Sequence, residues 1–190
     1  MCDWMRRAGT LVLVGSCAFA LSAGSASAVK EVRGCTVKVG SKCPGAALGG
    51  AKLDSQNARN SNFRQARFDR AFLRLANFTR SNFHKASFYA AKMDRTDFKE
   101  SDFSFANLTY ISATYARFRY AKLEKADLYK ADLFKADLRD TDLRYANLNG
   151  ANLGQANLTN ANLCGARGVA RANLSNANLE GVRCRPKGRS

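Results

Sequence analysis

The chain has 190 residues, with 31 Lys and Arg against 15 Asp and Glu, a formal net charge of +16 at pH 7. So basic a balance argues against a surface that imitates a polyanion and turns attention to nucleic acid, acidic glycans and anionic membranes as partners. A single histidine, His84, leaves little material for imidazole chemistry.

The N-terminal 28 residues differ in kind from the rest. Arg6 and Arg7 precede an apolar run from Leu11 to about Leu21, and Ala26-Ser27-Ala28 stands before Val29. That layout predicts a secretory signal peptide over 1–28, cleaved after Ala28, and hence a secreted, periplasmic or cell-envelope location. The apolar run is short for a membrane span, and an uncleaved anchor is the alternative. Val14-Gly15-Ser16-Cys17 is a poor lipobox, and Arg6-Arg7 alone is weak evidence for twin-arginine export. Cleavage leaves 29 basic and 14 acidic residues, a net +15, and discards Cys2 and Cys17. Four cysteines remain, an even number suited to an oxidising compartment.

From Ala46 onward the chain repeats every five residues, most clearly in Ala126-Asp127-Leu128, Ala131-Asp132-Leu133 and Ala136-Asp137-Leu138. With the large apolar residue of each pentad called i, Leu48 to Leu163 span 24 pentads. Position i is Leu, Phe or Met in 22 of them, and i−2 is Ala, Ser or Thr in 22, so both positions are under a volume constraint. Neither a helix of period 3.6 nor a strand of period 2 buries every fifth residue on one face. A unit this short must stack on copies of itself. Two inward residues flank an outward one, and i+1 and i+2 turn a corner. Four such sides close a square coil of 20 residues, with coils about 4.8 Å apart.

The exceptions follow the same logic. Gln56 and Ile111 are the only large residues at i−2, and their partners at i, Ala58 and Ala113, are the only small ones there. Volume lost at one inward site is restored at the other. Read every 20 residues, one side stacks Phe63, Phe83, Phe103, Leu123, Leu143 and Leu163, so phenylalanine fills the first half of the core and leucine the second. A core so filled leaves no room for a ligand cavity.

The A(D/N)LxX pattern resembles the pentapeptide-repeat family over residues 41–184. The resemblance implies an all-β, right-handed quadrilateral parallel β-helix of about six to seven coils, and it implies no particular activity. Residues 29–45 read as an N-terminal cap, 46–179 as the β-helix and 180–190 as a basic C-terminal tail. Some members protect DNA gyrase from quinolones by imitating DNA with an acidic surface. The basic charge and the export signal both depart from that pattern.

On such a solenoid Cys35 and Cys43 lie at one end and Cys164 and Cys184 at the other, roughly 30 Å apart at the coil spacing above. A disulfide needs Cα atoms within about 7 Å, which leaves Cys35 with Cys43 and Cys164 with Cys184. Leu163 and Leu174 are eleven residues apart, which places an inserted residue near Gly168, makes Cys184 an inward position and leaves Cys164 at a corner. Zinc binding is disfavoured by the spacings and the compartment, and no metal or cofactor is expected.

Counted by pentads, the four sides carry +2, +1, +2 and +2, so none is a strong binding stripe. The densest charge is Arg183, Arg185, Lys187 and Arg189, around Pro186. Tyr110, Tyr115 and Tyr120 stand a quarter turn apart and point from three sides. Tyr89 and Tyr129 share a column, and with Arg70, Tyr110 and Lys130 beside them they form a candidate polyanion patch, although corner tyrosines stacking on neighbouring coils explain the same pattern. The aspartates at i−1 face different sides, and His84 sits at a corner with no acid partner in its column. Acid–base catalysis needs groups that converge in a cleft, so the chain reads as a non-enzyme. The expected role is an exported, disulfide-capped scaffold that binds a partner protein or an anionic envelope polymer. The alternative is a nucleic-acid-related role, by direct binding or a gyrase-type interaction, which the sequence disfavours.

Overall fold

The structure, a computed structural model, describes residues 30–184; the expected signal peptide and Arg185, Lys187 and Arg189 lie outside them. Each pentad contributes one extended residue, i−1, that bridges in parallel to the residue 20 positions on: Ala47 to Arg67, Lys52 to Phe72, Asn57 to Asn77, Asn62 to Asn82. This register runs without a break from Lys42–Asn62 to Asn147–Arg167. Backbone hydrogen bonds tie each coil to both neighbours. The Phe68 amide donates to the Ser87 carbonyl on one side, and the Arg67 amide donates to the Ala46 carbonyl on the other.

The corners have a uniform backbone. The amide of i+3 donates to the carbonyl of i, as Ala71 does to Phe68. Of the two residues between, only i+2 has positive φ, the sign pattern of a type II turn. Large residues occupy this left-handed position, including Arg70 (φ 56°), Tyr110 (58°) and Lys130 (50°). Each costs about 1–2 kcal/mol relative to a right-handed conformation. The amide of i+2 joins the inter-coil ladder, as Arg70 does with the Tyr89 carbonyl, so the ladder holds the strain in place.

Four sides result. Side I stacks Leu48, Phe68, Phe88, Leu108, Leu128 and Leu148 inward; side II stacks Leu53, Leu73, Met93, Ala113, Leu133 and Leu153. Side III stacks Ala58, Phe78, Phe98, Phe118, Leu138 and Leu158, and side IV is the Phe63 to Leu163 column. All of these are buried. Phenylalanines stack within a side, Phe68 on Phe88 at 4.7 Å and Phe83 on Phe103 at 4.8 Å. Between sides they meet edge to face, Phe63 with Phe68 at 5.3 Å and 77°. Both geometries suit the ring quadrupole. Gln56 is accommodated beside Ala58 and also donates to the Val37 carbonyl at 2.9 Å, tying the first full coil to the cap. The polar i−2 residues of side IV form a satisfied ladder: the amides of Ser41, Ser61 and Ser81 donate to the hydroxyls of Ser61, Ser81 and Ser101.

At the N-terminal end, β1 (Lys30–Val32) and β2 (Cys35–Val37) form an antiparallel hairpin. Cys35 bonds Cys43, with Cα atoms 5.7 Å apart. At the other end the register changes from 20 to 21 between Asn147–Arg167 and Asn152–Asn173, where the inserted residue forms a 3-10 turn at Val169–Arg171. Gly168 enters that turn at φ 74°, and a Cβ there would lie 2.5 Å from the Asn149 backbone. Cys184 bonds Cys164 at a Cα separation of 4.9 Å. It does not occupy the inward position expected of it: it is exposed, with φ 55°, because the chain turns outward after Arg183 to reach Cys164.

Candidate interaction surface

The outward position i−1 explains the Asn and Asp of the repeat. Their Oδ1 accepts the amide of i+1, as Asn82 does from His84 (2.9 Å), Asp102 from Ser104 (2.9 Å) and Asn157 from Thr159 (3.0 Å). The bond satisfies the one corner amide that the ladder leaves open. Among the described Asn and Asp at this position only Asn57 does not make it, and its Oδ1 is buried without a partner among the described residues. Where i−1 is Phe72, Ser87 or Ser112, the i+1 aspartate one coil earlier takes over. Asp54 accepts from the Arg74 amide (2.8 Å), Asp69 from that of Tyr89 (3.1 Å) and Asp94 from that of Thr114 (3.1 Å). These carboxylates hold corners and converge on no common point.

The charged side chains divide by side. Among the described residues seven ion pairs lie on sides III and IV and their corners, including Arg80–Glu100 at 2.8 Å, Arg139–Asp137 at 2.6 Å and Arg144–Asp142 at 2.7 Å. Hydrogen bonds from Arg80 and Arg144 hold the carboxyls of Glu100 and Asp142 below their ordinary ranges. Burial opposes the same effect at Asp137, where Arg139 prevails. Side II is different. At its border with side I, Tyr89, Tyr110 and Tyr129 form an edge-to-face chain with centroids 5.8 and 5.6 Å apart. The Lys130 ammonium lies over Tyr110 and Tyr129, at 5.8 and 5.4 Å. At its border with side III, Arg95 and Lys135 lie over Tyr115 at 5.6 and 5.3 Å. Between the two borders Lys92 lies over Phe72 at 5.3 Å. Such contacts contribute about 0.5–1 kcal/mol each where exposed. The only ion pair bordering side II among the described residues is Arg74–Asp54, at 3.8 Å.

The structure brings Tyr89, Tyr129 and Lys130 together through Tyr110, as one corner. Arg70 stands in the same corner column at left-handed φ, outside the ring chain. Tyr110, Tyr115 and Tyr120 do head three separate corners, but the first two bound one side, which counting by pentads conceals. For the same reason Arg95 and Lys135 are not singled out in sequence, since a corner residue belongs to the side after it as much as to the side before it. Phe72 and Lys92 meet across adjacent coils on the face itself, which a charge count by side does not show. Arg183 is exposed beside Asn162 and lines an open depression with Asp140, Asp142 and Arg144. His84 packs edge to face on Phe105 at 5.4 Å, as a surface corner residue. Among the described residues no group of three or more His, Cys, Asp or Glu is placed to hold a metal ion, and no helix is long and apolar enough to cross a membrane.

A stacked, bridged five-residue unit with small residues at i−2 and Asn or Asp at i−1 defines a repeat solenoid. The family model for pentapeptide repeats matches in 8 copies, over residues 46–84, 59–95, 81–114, 114–150 and 136–167. The chain belongs to the pentapeptide repeat family, whose members form right-handed quadrilateral β-helices and generally serve as non-enzymatic scaffolds. Among solved structures it is similar to a pentapeptide repeat protein of the Arabidopsis thaliana thylakoid lumen, with 27% identity over 54% of this chain and 69% of that one, TM-score 0.37. It is also similar to QnrB1, a plasmid-mediated fluoroquinolone resistance protein, with 18% identity over 77% and 90% of the two chains, TM-score 0.36. A third is HetL, involved in heterocyst differentiation regulation in the cyanobacterium Nostoc, with 24% identity over 74% and 86%, TM-score 0.24. No curated protein matches the sequence.

Proposed function

We propose that this chain is an exported, non-enzymatic scaffold of six to seven coils that holds a partner protein or an anionic envelope polymer on its outer surface. The observation that carries the reading is the pairing of all four cysteines that remain after residue 28, one pair at each end of the solenoid. Disulfides persist in oxidising compartments, and the charged, apolar and small-residue order of residues 1–28 supports the same destination. Solenoid ends expose unpaired backbone and open core, so a covalent staple at each end suits a protein that works outside the cell's repair systems. The filled interior supports a role for the outer surface, and the basic tail from Arg183 to Arg189 adds an electrostatic attachment point.

Cell fractionation combined with mass measurement tests the proposal. The expected result is a chain lacking residues 1–28, found in the envelope or medium, whose thiols react with a maleimide only after reduction. A full-length cytoplasmic chain with free thiols overturns it. So does protection of DNA gyrase by the mature chain, which would favour the nucleic-acid-related role.

A further inference from the structure

We propose that side II, with its two bordering corners, is a docking surface for a linear acidic polysaccharide. Lys92, Arg95, Lys130 and Lys135 meet its acidic groups, while Tyr110 and Tyr115 offer ring edges and hydroxyls to its sugars. The inference rests on the reading above of an exported chain facing an anionic polymer, and it adds the surface and the polymer chemistry.

The first argument is the division of the cations. On sides III and IV, Arg80, Arg117, Arg119, Arg139 and Arg144 are held by carboxylates, which cancels their field at contact distance, and among the described residues a single lysine there, Lys125, lies over rings. The four side II cations lie over aromatic rings and have no carboxylate within 4.0 Å among the described residues. A ring orients a cation without neutralising it, so these charges remain available to an incoming anion. The carboxylates on and beside side II are engaged by other groups: Asp132, outward on the side itself, accepts from the Phe134 amide and the Asn152 side chain. Asp94 accepts from the Ser112 hydroxyl and from both the amide and the hydroxyl of Thr114, and Asp69 accepts from the Ser87 hydroxyl and the Tyr89 amide.

The second argument is shape. Residues 20 apart stand on adjacent coils, so Arg95 and Lys135 are two coils apart, roughly 10 Å along the axis. The bridged ladder fixes that spacing, so a binder would lose little order in the protein. Arg95 and Lys135 are in line on one border, with Lys92 on the face and Lys130 on the other border, and a rigid array spread over two coils fits an extended polymer better than a compact ligand.

The third argument separates a glycan from a single-stranded nucleic acid. Bases bind aromatic platforms through free ring faces. Here Lys130, Arg95 and Lys135 already lie over the faces of Tyr110 and Tyr115. Tyr110 and Tyr115 are nonetheless 46% and 45% exposed, which leaves edges and hydroxyls for sugar contacts.

The test titrates the mature, disulfide-bonded chain with alginate, a polyuronate, and with neutral dextran and a single-stranded oligonucleotide as comparators, at low and at physiological salt. A variant carrying K92Q, R95Q, K130Q and K135Q is set against one carrying R80Q, K99Q, R119Q and R139Q, which loses the same charge from the opposite corner. The expected result is salt-sensitive alginate binding that falls at least about tenfold in the first variant and stays within about threefold in the second. If either variant loses its β circular dichroism, the pair K130E and K135E, at two exposed corner positions, replaces the first set against R80E and R139E. Equal losses from both corners overturn the inference, as does no alginate binding at low salt or tighter binding of the oligonucleotide. A cytoplasmic chain that still binds alginate through side II removes the export reading and sustains this one; a secreted chain that fails the corner comparison does the reverse.

Discussion

The two halves of the solenoid share a backbone and differ in nearly everything attached to it. From Phe63 to Phe118 the interior is packed mainly with phenylalanine, on sides I, III and IV, and the outward position varies among Asn, Asp, Lys, Arg, Ser and Phe. From Leu123 to Leu163 the interior is leucine, and the outward position is Asp or Asn at every pentad from Asp127 on. In the second half these residues also bond between coils, Asn147 to Asp127 at 2.8 Å and Asn152 to Asp132 at 2.9 Å. Side-chain volume and corner capping are therefore separate requirements. The first half meets the second requirement with its own Asn and Asp, such as Asn82 and Asp102, and borrows Asp54, Asp69 and Asp94 from the preceding coil where the outward residue is Phe72, Ser87 or Ser112.

Deleting core volume should show the largest difference between the halves. Phe83→Ala is expected to cost about 4 kcal/mol and Leu143→Ala, in the same column, about 3 kcal/mol, by denaturant titration. A larger loss at Leu143 would mean that the leucine half is the more tightly packed. Next comes the C-terminal staple. Cys164→Ser opens a 20-residue loop and should cost about 3 kcal/mol, with faster amide exchange confined to residues 173–183. Cys35→Ser opens a loop of only 8 and should cost somewhat less.

Corner capping tests the borrowed aspartates. Asp94→Ala removes three hydrogen bonds and should cost about 2 kcal/mol, whereas Asn82→Ala removes one and should cost about 1 kcal/mol. Equal losses would show that solvent caps the first-half corners as well as Asp94 does. The smallest effect is on pH. The carboxyls of Asp137, Asp142 and Glu100 titrate lower in the folded chain than their ordinary values of 3.8, 3.8 and 4.5. The unfolded chain then binds more protons near pH 4, so their contribution is complete above about pH 5 and declines as pH falls through 4. The melting temperature should fall modestly in that window, and high salt should shrink the effect because the arginine partners are exposed.

How far the sequence could be read depended on the range of each interaction. The exchange of volume between Gln56 and Ala58, or between Ile111 and Ala113, is visible in sequence because the partners lie two residues apart and share one narrow interior. The link from Gln56 to Val37 is not, because it depends on how the cap seats on the first coil. Cys164 and Cys184 pair as the coil length requires, yet the inward position expected for Cys184 was wrong: the chain turns outward after Arg183 so that Cys184 can meet Cys164 at its corner. The candidate corner of Tyr89, Tyr129 and Lys130 was found by counting in twenties. Its neighbour across side II was not, because net charge per pentad does not say which cation meets a carboxylate and which meets a ring.

By itself the five-residue period determined the solenoid, its 20-residue register and the order of its core columns, since no other arrangement buries every fifth side chain. The tertiary structure alone decided what the surface does with its charge. The coil ladder sets neighbouring corners about 4.8 Å apart, and at that distance side-chain reach, more than formal charge, selects the partner.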